Sequence, residues 1–374
     1  MKRILYITLA AVAFMLSACS ERPIDPTPQM PGSSGSYIFF EPEVLERVET
    51  RTSMLEGTSL PSASGTSFGV FGYAGSTVLF DDKMIYRSED GGLFTYDGLV
   101  NWVDGVTPHD FYAYYPYDLT ASVGDNNIPY IPYTQSTDRN SMVDILTATT
   151  GSITKKSIVD LKFYHRLWAM DITVKNNRKI TDKVYVPHED PKKDGSYVDT
   201  GNDVTIKSIK VEFDGIPASG NIYMDGSVVL GEMLEPFSYS VVYDNPDDTS
   251  DEPLILTTAD GQNSITVTGQ DSFLFLPCGS FNYRITLECV STWGVEYTAH
   301  HPATYTEDED GIRQWDWATA KGPGASGFKA GNRYTLDIVK SDYNVTFDWV
   351  ETNWGEWDEV AEKWTNIEVV HTFK

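Results

Sequence analysis

Apolar residues fall along this chain in three regimes. From Ile4 to Met15 they are nearly continuous, broken by Tyr6 and Thr8. From Ser20 to Ser36 ("SERPIDPTPQMPGSSGS") they carry no period, and Pro, Ser and Gly dominate. From Tyr37 onward they alternate with polar residues in short runs. Examples are Phe68 and Val70; Val159, Leu161 and Phe163; Ile209, Val211 and Phe213; Ile265 and Val267; Tyr334, Leu336 and Ile338; and Val345, Phe347 and Trp349. A period of two, closed by "GG", "DG", "NN" or "GN", predicts half-buried strands joined by tight turns.

No stretch of 12 or more residues carries a helical period, and "NWGEWDEVAEKW" is the best candidate for a few helical turns. Many short strands with polar turns predict an all-β chain of stacked antiparallel sheets. Alternation lapses in the polar stretch from Lys175 to Asp203 and resumes at "VTIKSIKVEF". The expected organisation is a signal peptide over 1–18, a tether over 19–36, an N-terminal sandwich over 37–178, a linker over 179–202 and a C-terminal sandwich over 203–374. No internal repeat is evident.

The apolar run at the start is too short to span a bilayer, which needs about 20 helical residues. Lys2 and Arg3 precede it and small residues follow it, the arrangement of a secretory signal. Its end, Leu16-Ser17-Ala18-Cys19, resembles a bacterial lipobox, in which the cysteine thiol receives a diacylglyceryl group and the signal is cut before it. Cys19 is the expected lipidation site, which would hold the mature chain on a membrane surface. The remaining cysteines, Cys278 and Cys289, flank "GSFNYRITLE", where Phe281, Tyr283, Ile285, Leu287 and Cys289 share one strand face. Cys289 reads as a small buried apolar residue, and a bridge to Cys278 would need the strand to double back.

A net charge of −26 over 374 residues repels nucleic acid and anionic lipid, so neither is an expected partner. Catalytic chemistry is not signalled. The histidines are scattered, no H-E-x-x-H occurs, and no nucleophile elbow is expected. His165, inside "LKFYHRLWAM", reads as a hydrogen-bonded structural group. "DNPDDTSDE" and "TEDEDG" concentrate carboxylates without the ligand spacing of an EF-hand, and read as solvated acidic loops. No catalytic residue, cofactor or metal is expected, and the chain is not expected to be an enzyme.

Several stretches in order carry a resemblance. After the lipobox and tether come "YIFFEPEVLERVETRTSM", "FGVFGY", "HDFYAYYPYD", "DILTAT", "LKFYHRLWAMDITV" and "AGNRYTLDIV". Together they resemble the fimbrillin lipoproteins of Bacteroidetes (Mfa-like, FimA-type), the subunits of type V pili. The resemblance implies two tandem transthyretin-like β-sandwich domains. It also implies an outer-membrane lipoprotein that ends up in a cell-surface fimbrium and acts in adhesion.

In polymerising members of that family a trypsin-like protease cuts after an Arg following the first strand. The strand then leaves, and a strand from the next subunit fills its groove. Carried over, the cut would fall between Arg51 and Thr52, Arg47 being a second candidate inside the apolar run. Ile38, Phe40, Val44 and Val48 share one face of the segment before it and would form the plug, with Pro42 interrupting the ladder. Ile367, Val369, His371 and Phe373 share one face of "TNIEVVHTFK" and would form a donor strand. The tryptophan-rich "DWVETNWGEWDEVAEKW" has no counterpart in a stalk subunit and suggests a tip or accessory position. The implied partners are other pilus subunits, the outer membrane through the N-terminal lipid, and a host protein or glycan ligand. The competing reading is a surface glycan-binding lipoprotein, with Trp293, Trp315, Trp317, Trp354 and Trp357 as stacking platforms.

Overall fold

The structure, a computed structural model, describes residues 37–44, 60, 66–88, 94–105, 108–124, 127–154, 158–176, 183–186, 196–199, 204–242, 254–256, 264–266, 272–291, 296–322, 327–341, 344–352, 356–358, 363–365 and 368–371. Cys19, Val48, Arg51, Thr52, Ile367 and Phe373 lie outside these residues, as does Arg47.

The chain is all-β, with strands spread over several sheets. Among the described residues the single helical piece is a 3-10 turn at Arg139–Ser141, capped by the Asp138 carboxylate, which accepts from the Asn140 amide. The first ten strands are β1 (Phe39–Val44), β2 (Ser67–Ala74), β3 (Thr77–Arg87), β4 (Phe94–Thr95), β5 (His109–Tyr115), β6 (Ser122–Val123), β7 (Pro129–Thr134), β8 (Leu146–Ile153), β9 (Ile158–His165) and β10 (Trp168–Asn176). Seven of them form one sheet in the order β1-β9-β8-β5-β2-β3-β4. Its two ends meet, because Tyr37 bridges to Asn101 just beyond β4 and the Ile38 amide donates to the Val100 carbonyl at 3.0 Å. The enclosed core holds Phe40, Phe68, Phe80, Phe111, Leu161 and Phe163, all buried.

The middle strands are β11 (Lys183–Val186), β12 (Ser196–Asp199), β13 (Val204–Asp214), β14 (Ser219–Tyr223), β15 (Val228–Leu230), β16 (Phe237–Val242), β17 (Leu254–Leu256), β18 (Ser264–Thr266) and β19 (Phe273–Phe275). The last ten are β20 (Ser280–Ser291), β21 (Glu296–His301), β22 (Tyr305–Glu307), β23 (Arg313–Trp315), β24 (Ala318–Lys321), β25 (Arg333–Ser341), β26 (Asn344–Thr352), β27 (Glu356–Asp358), β28 (Lys363–Thr365) and β29 (Glu368–His371). Two larger sheets, β18-β10-β25-β26-β29 and β16-β13-β20-β21, share a second core. At its centre Trp168 packs against Phe275, Phe281, Phe328 and Tyr334, and its indole N–H donates to the Leu276 carbonyl at 2.9 Å.

The two cores share walls. On β5, His109, Phe111 and Ala113 face the first core, while Tyr114 faces the second with Tyr112 packed against it. β2 divides likewise, with Phe68 and Val70 on one side and Phe71 on the other. This is why "FGVFGY" and "AYY" are apolar or aromatic at nearly every position rather than alternating with charge. The close approach also requires glycine. A Cβ on Gly69 would lie 2.1 Å from the Tyr114 ring.

The strand pairings depart from the sequence expectations at several places. β10, expected to close the N-terminal body, runs parallel to β25, so partnership passes from one sheet to another between His165 and Trp168. The polar stretch expected as a bare linker contains an antiparallel ribbon, β11 with β12. β7 also leaves its neighbours in sequence to pair with β14. The segment expected to form a few helical turns carries β27 and β28, paired antiparallel with Trp357 opposite Trp364. Tryptophan and threonine favour a pleated backbone.

Candidate functional site

Among the described residues, the pairing of β1 with β9 is the only parallel one in the seven-stranded sheet. β1 runs beside β9 from Phe39 opposite Ile158 to Val44 opposite Phe163, without a register shift. Pro42 sits in this ladder without an amide to donate, a placement that sheets tolerate at an edge strand. Alternation sorts the side chains as its sequence predicts. Ile38, Phe40 and Val44 are buried at 0%, 4% and 1% exposure, while Glu41 and Glu43 are exposed.

The Phe40 ring marks where β1 is held. It meets Phe80 at 5.3 Å and Phe111 at 5.6 Å, both edge-on, and Tyr96 at 6.2 Å. Edge-to-face rings at these separations are favourable beyond the area they bury. Gly72 leaves the room that Phe80 and Phe111 occupy, since a Cβ there would lie 2.7 Å from Phe80 and 3.0 Å from Phe111. Tyr96 fastens the start of the strand. Its hydroxyl donates to the Ile38 carbonyl at 2.6 Å and accepts from the Val100 amide at 3.3 Å. Burial pushes its pKa up to about 12. Burying Ile38, Phe40 and Val44 stabilises the seated strand by about 5–9 kcal/mol, an upper figure before chain entropy is subtracted.

The groove under β1 is thus a slot lined by Phe80, Tyr96 and Phe111, with β9 on one side and the Tyr96–Asn101 segment on the other. At the other end of the chain β29 pairs antiparallel with β26, placing Val369 opposite Glu351 and His371 opposite Trp349 at the edge of its sheet.

The tryptophans named as stacking platforms divide. Trp293 and Trp354 lie outside the described residues, and Trp357 stands on β27. Trp315 and Trp317 come together with Arg284, which lies 4.5 Å over the Trp317 ring and donates to the Trp315 carbonyl at 3.2 Å. His300 stacks on Trp315 with centroids 3.7 Å apart. Arg284 and His300 carried no signal in sequence, because their partners stand far along the chain on other strands.

The remaining candidates have structural settings. His165 Nδ1 lies 2.7 Å from the Asp144 carboxylate, both buried. "TEDEDG" forms the turn between β22 and β23, where Asp308 accepts from the amides of Asp310 and Ile312. Among the described residues no group of three His, Cys, Asp or Glu could hold a metal ion. Cys278 and Cys289 are buried and form no disulfide, Cys289 lying on the extended strand β20 and Cys278 before it. The letters G-x-S-x-G do occur, at Gly65 to Gly69. Ser67 opens β2 opposite Tyr86, and a strand rather than a helix follows it, so no strand-to-helix elbow forms there. Among the described residues no helix is long and apolar enough to cross a membrane.

The solved structures to which the chain is similar are distant in sequence. A proposed cell adhesion protein from Bacteroides ovatus is 14% identical, covering 83% of this chain and 94% of its own, at a TM-score of 0.46. A fimbrilin from Porphyromonas gingivalis is 13% identical, covering 81% of this chain and 91% of its own, at a TM-score of 0.40. No curated protein matches the chain. The family match covers most of the sequence: the fimbrillin-like family model matches residues 50–354. This chain therefore belongs to the fimbrillin-like family.

Proposed function

We propose that this chain is a pilus subunit that is exported as a lipoprotein and joins its neighbours by exchanging strands. In this reading the signal over 1–18 is removed, Cys19 carries the lipid, and residues 19–36 tether the folded body to the outer membrane. A protease cuts between Arg51 and Thr52. β1 then leaves the groove, and the C-terminal strand of another subunit, residues 366–373, takes its place. The part of the chain around the first core receives the strand and the later chain supplies one.

The observation that supports this most is the setting of β1. It is an edge strand with a continuous backbone ladder on one side and a regularly buried face, seated by one aromatic anchor. An edge slot of this kind accepts any strand that offers backbone hydrogen bonds and side chains at alternate positions. While its own chain tethers β1, the effective concentration of the native plug keeps competitors out, and cleavage removes that advantage. β29 is likewise an edge strand, so it can leave β26 without opening the sheet interior.

Sparing trypsin treatment of the soluble Cys19→Ser chain tests this. The expected result is a new N-terminus at Thr52, followed by a ladder of oligomers that resist mild denaturant. Arg51→Ala should abolish both. Removal of residues 366–374 should leave the cut and stop the ladder. Assembly of Arg51→Ala at the wild-type rate would overturn cleavage as the switch. Assembly of the C-terminal deletion would assign the donor strand to another segment.

A further inference from the structure

A cleft opens on the outer face of the β13-β20-β21 sheet, on a different sheet from the groove under β1. Lys210 and Glu212 on β13, Arg284 and Thr286 on β20 and His300 on β21 form its floor. The β22–β23 hairpin folds over it and contributes Arg313, Gln314 and Trp315. It encloses about 430 Å³. Pockets that hold small ligands run from about 300 to 1,000 Å³.

One wall is aromatic. Trp315 is stacked on His300 at 3.7 Å and meets Tyr305 edge-on at 5.1 Å. The cations around it are already matched. Arg284 spends Nε and Nη2 on the two Glu212 oxygens, at 2.7 and 2.9 Å, and Nη1 on the Trp315 carbonyl. Lys210 lies 3.1 Å from the same carboxylate, and Arg313 lies 3.4 Å from Glu307. Burial by itself would raise the Glu212 carboxyl, but the hydrogen bonds from Arg284 and Lys210 outweigh it and hold the group below its ordinary range, so it stays ionised. Burial lowers the His300 pKa, which leaves the ring neutral at pH 7.

This chemistry selects among ligands. A phosphate or carboxylate would find no cation that is not already compensated, inside a chain of net charge −26. A purely apolar ligand would cover the Gln314 amide and the Lys210–Glu212 pair without replacing their water. A neutral ring bearing many hydroxyls would satisfy both halves, laying its C–H face on the indole and its hydroxyls on planar amide and carboxylate groups. Gln314 is exposed and makes no side-chain hydrogen bond among the described residues, so its amide is available as both donor and acceptor. We propose that the cleft between the β22–β23 hairpin and the β13-β20-β21 sheet binds a neutral saccharide of one or two rings, stacked at Trp315 and hydrogen-bonded by Gln314, Glu212 and Lys210.

Calorimetric titration of the full mature chain carrying Cys19→Ser tests the proposal. The probes are lactose, N-acetyllactosamine, mannobiose, xylobiose and cellobiose, with 3′-sialyllactose and digalacturonic acid as acidic comparisons. At least one neutral disaccharide should bind saturably at one site per chain, more tightly than either acidic sugar. Gln314→Ala and Trp315→Ala should each weaken it at least about fivefold. Gln314→Ala removes no packing, so it remains informative if Trp315→Ala loosens the hairpin. Absence of saturable binding by every neutral sugar, preference for an acidic one, or affinity within twofold of wild type in Gln314→Ala would each overturn the proposal. Strand exchange does not enter any of these readouts.

Discussion

The hydroxyl of Tyr96 donates a 2.6 Å hydrogen bond to the carbonyl of Ile38, joining the start of β1 to a loop 58 positions later. A buried carbonyl that loses its donor costs about 1–3 kcal/mol. Tyr96→Phe keeps the ring beside Phe40 and removes that bond together with the longer one accepted from the Val100 amide. It should lower unfolding stability by about that amount in a denaturant titration, and it should speed release of β1 after cleavage. Phe40→Ala removes the anchor itself and should cost about 3–5 kcal/mol.

Gly72 is the second control on the groove. Gly72→Ala places a methyl against Phe80 and Phe111, the rings that hold Phe40. Overpacking of this kind costs about 1–3 kcal/mol. Thermal unfolding should show the loss, while Gly98→Ala, whose added methyl meets nothing within 4 Å but sits at a φ of +71°, should cost only about the backbone strain.

His109 gives the stability a pH dependence of known sign. It is buried against Trp102, and neither ring nitrogen has a hydrogen-bond partner among the described residues. Burial lowers its pKa, opposed by the Asp110 charge on the same strand. The unfolded chain therefore takes up the proton first. The neutral ring's contribution is complete above the unfolded value of about 6.5 and is lost as pH falls below it. His109→Leu should lose less stability than wild type between pH 8 and pH 5. An equal loss in the two proteins would assign the acid sensitivity elsewhere.

Arg284 is held on the sheet by both Glu212 oxygens and ties the hairpin to it through the Trp315 carbonyl. Lysine cannot reproduce that fork. Arg284→Lys should cost about 1 kcal/mol, since the pair is partly open to solvent. It should also raise proteolytic cutting within Tyr305–Trp315 more than elsewhere in the chain.

What the sequence disclosed follows from what is local. Alternation is a property of neighbouring residues, so the buried face of β1 and the strands around Leu161, Val211 and Leu336 were readable directly. Partner choice is not local. β10 carries the same alternation whether it pairs with β9 or with β25, more than 150 residues away, so its sheet could not be read. The cleft was half legible. Trp315 invited notice as an aromatic near a turn, but Arg284, Glu212 and His300 are ordinary outward-facing strand residues until three strands bring them together. The Gly69 and Gly72 positions make sense only with the rings that fill them.

The most direct test of strand exchange is the fate of the cleaved N-terminal fragment. After trypsin treatment of the soluble chain, monomers and assemblies are separated by size and each is measured by denaturing mass spectrometry. The account predicts that monomers retain the fragment ending at Arg51 in equal amount with the body, and that interior subunits of the assemblies have lost it. Assemblies that keep one such fragment per subunit would contradict it, because the groove under β1 would never have been vacated.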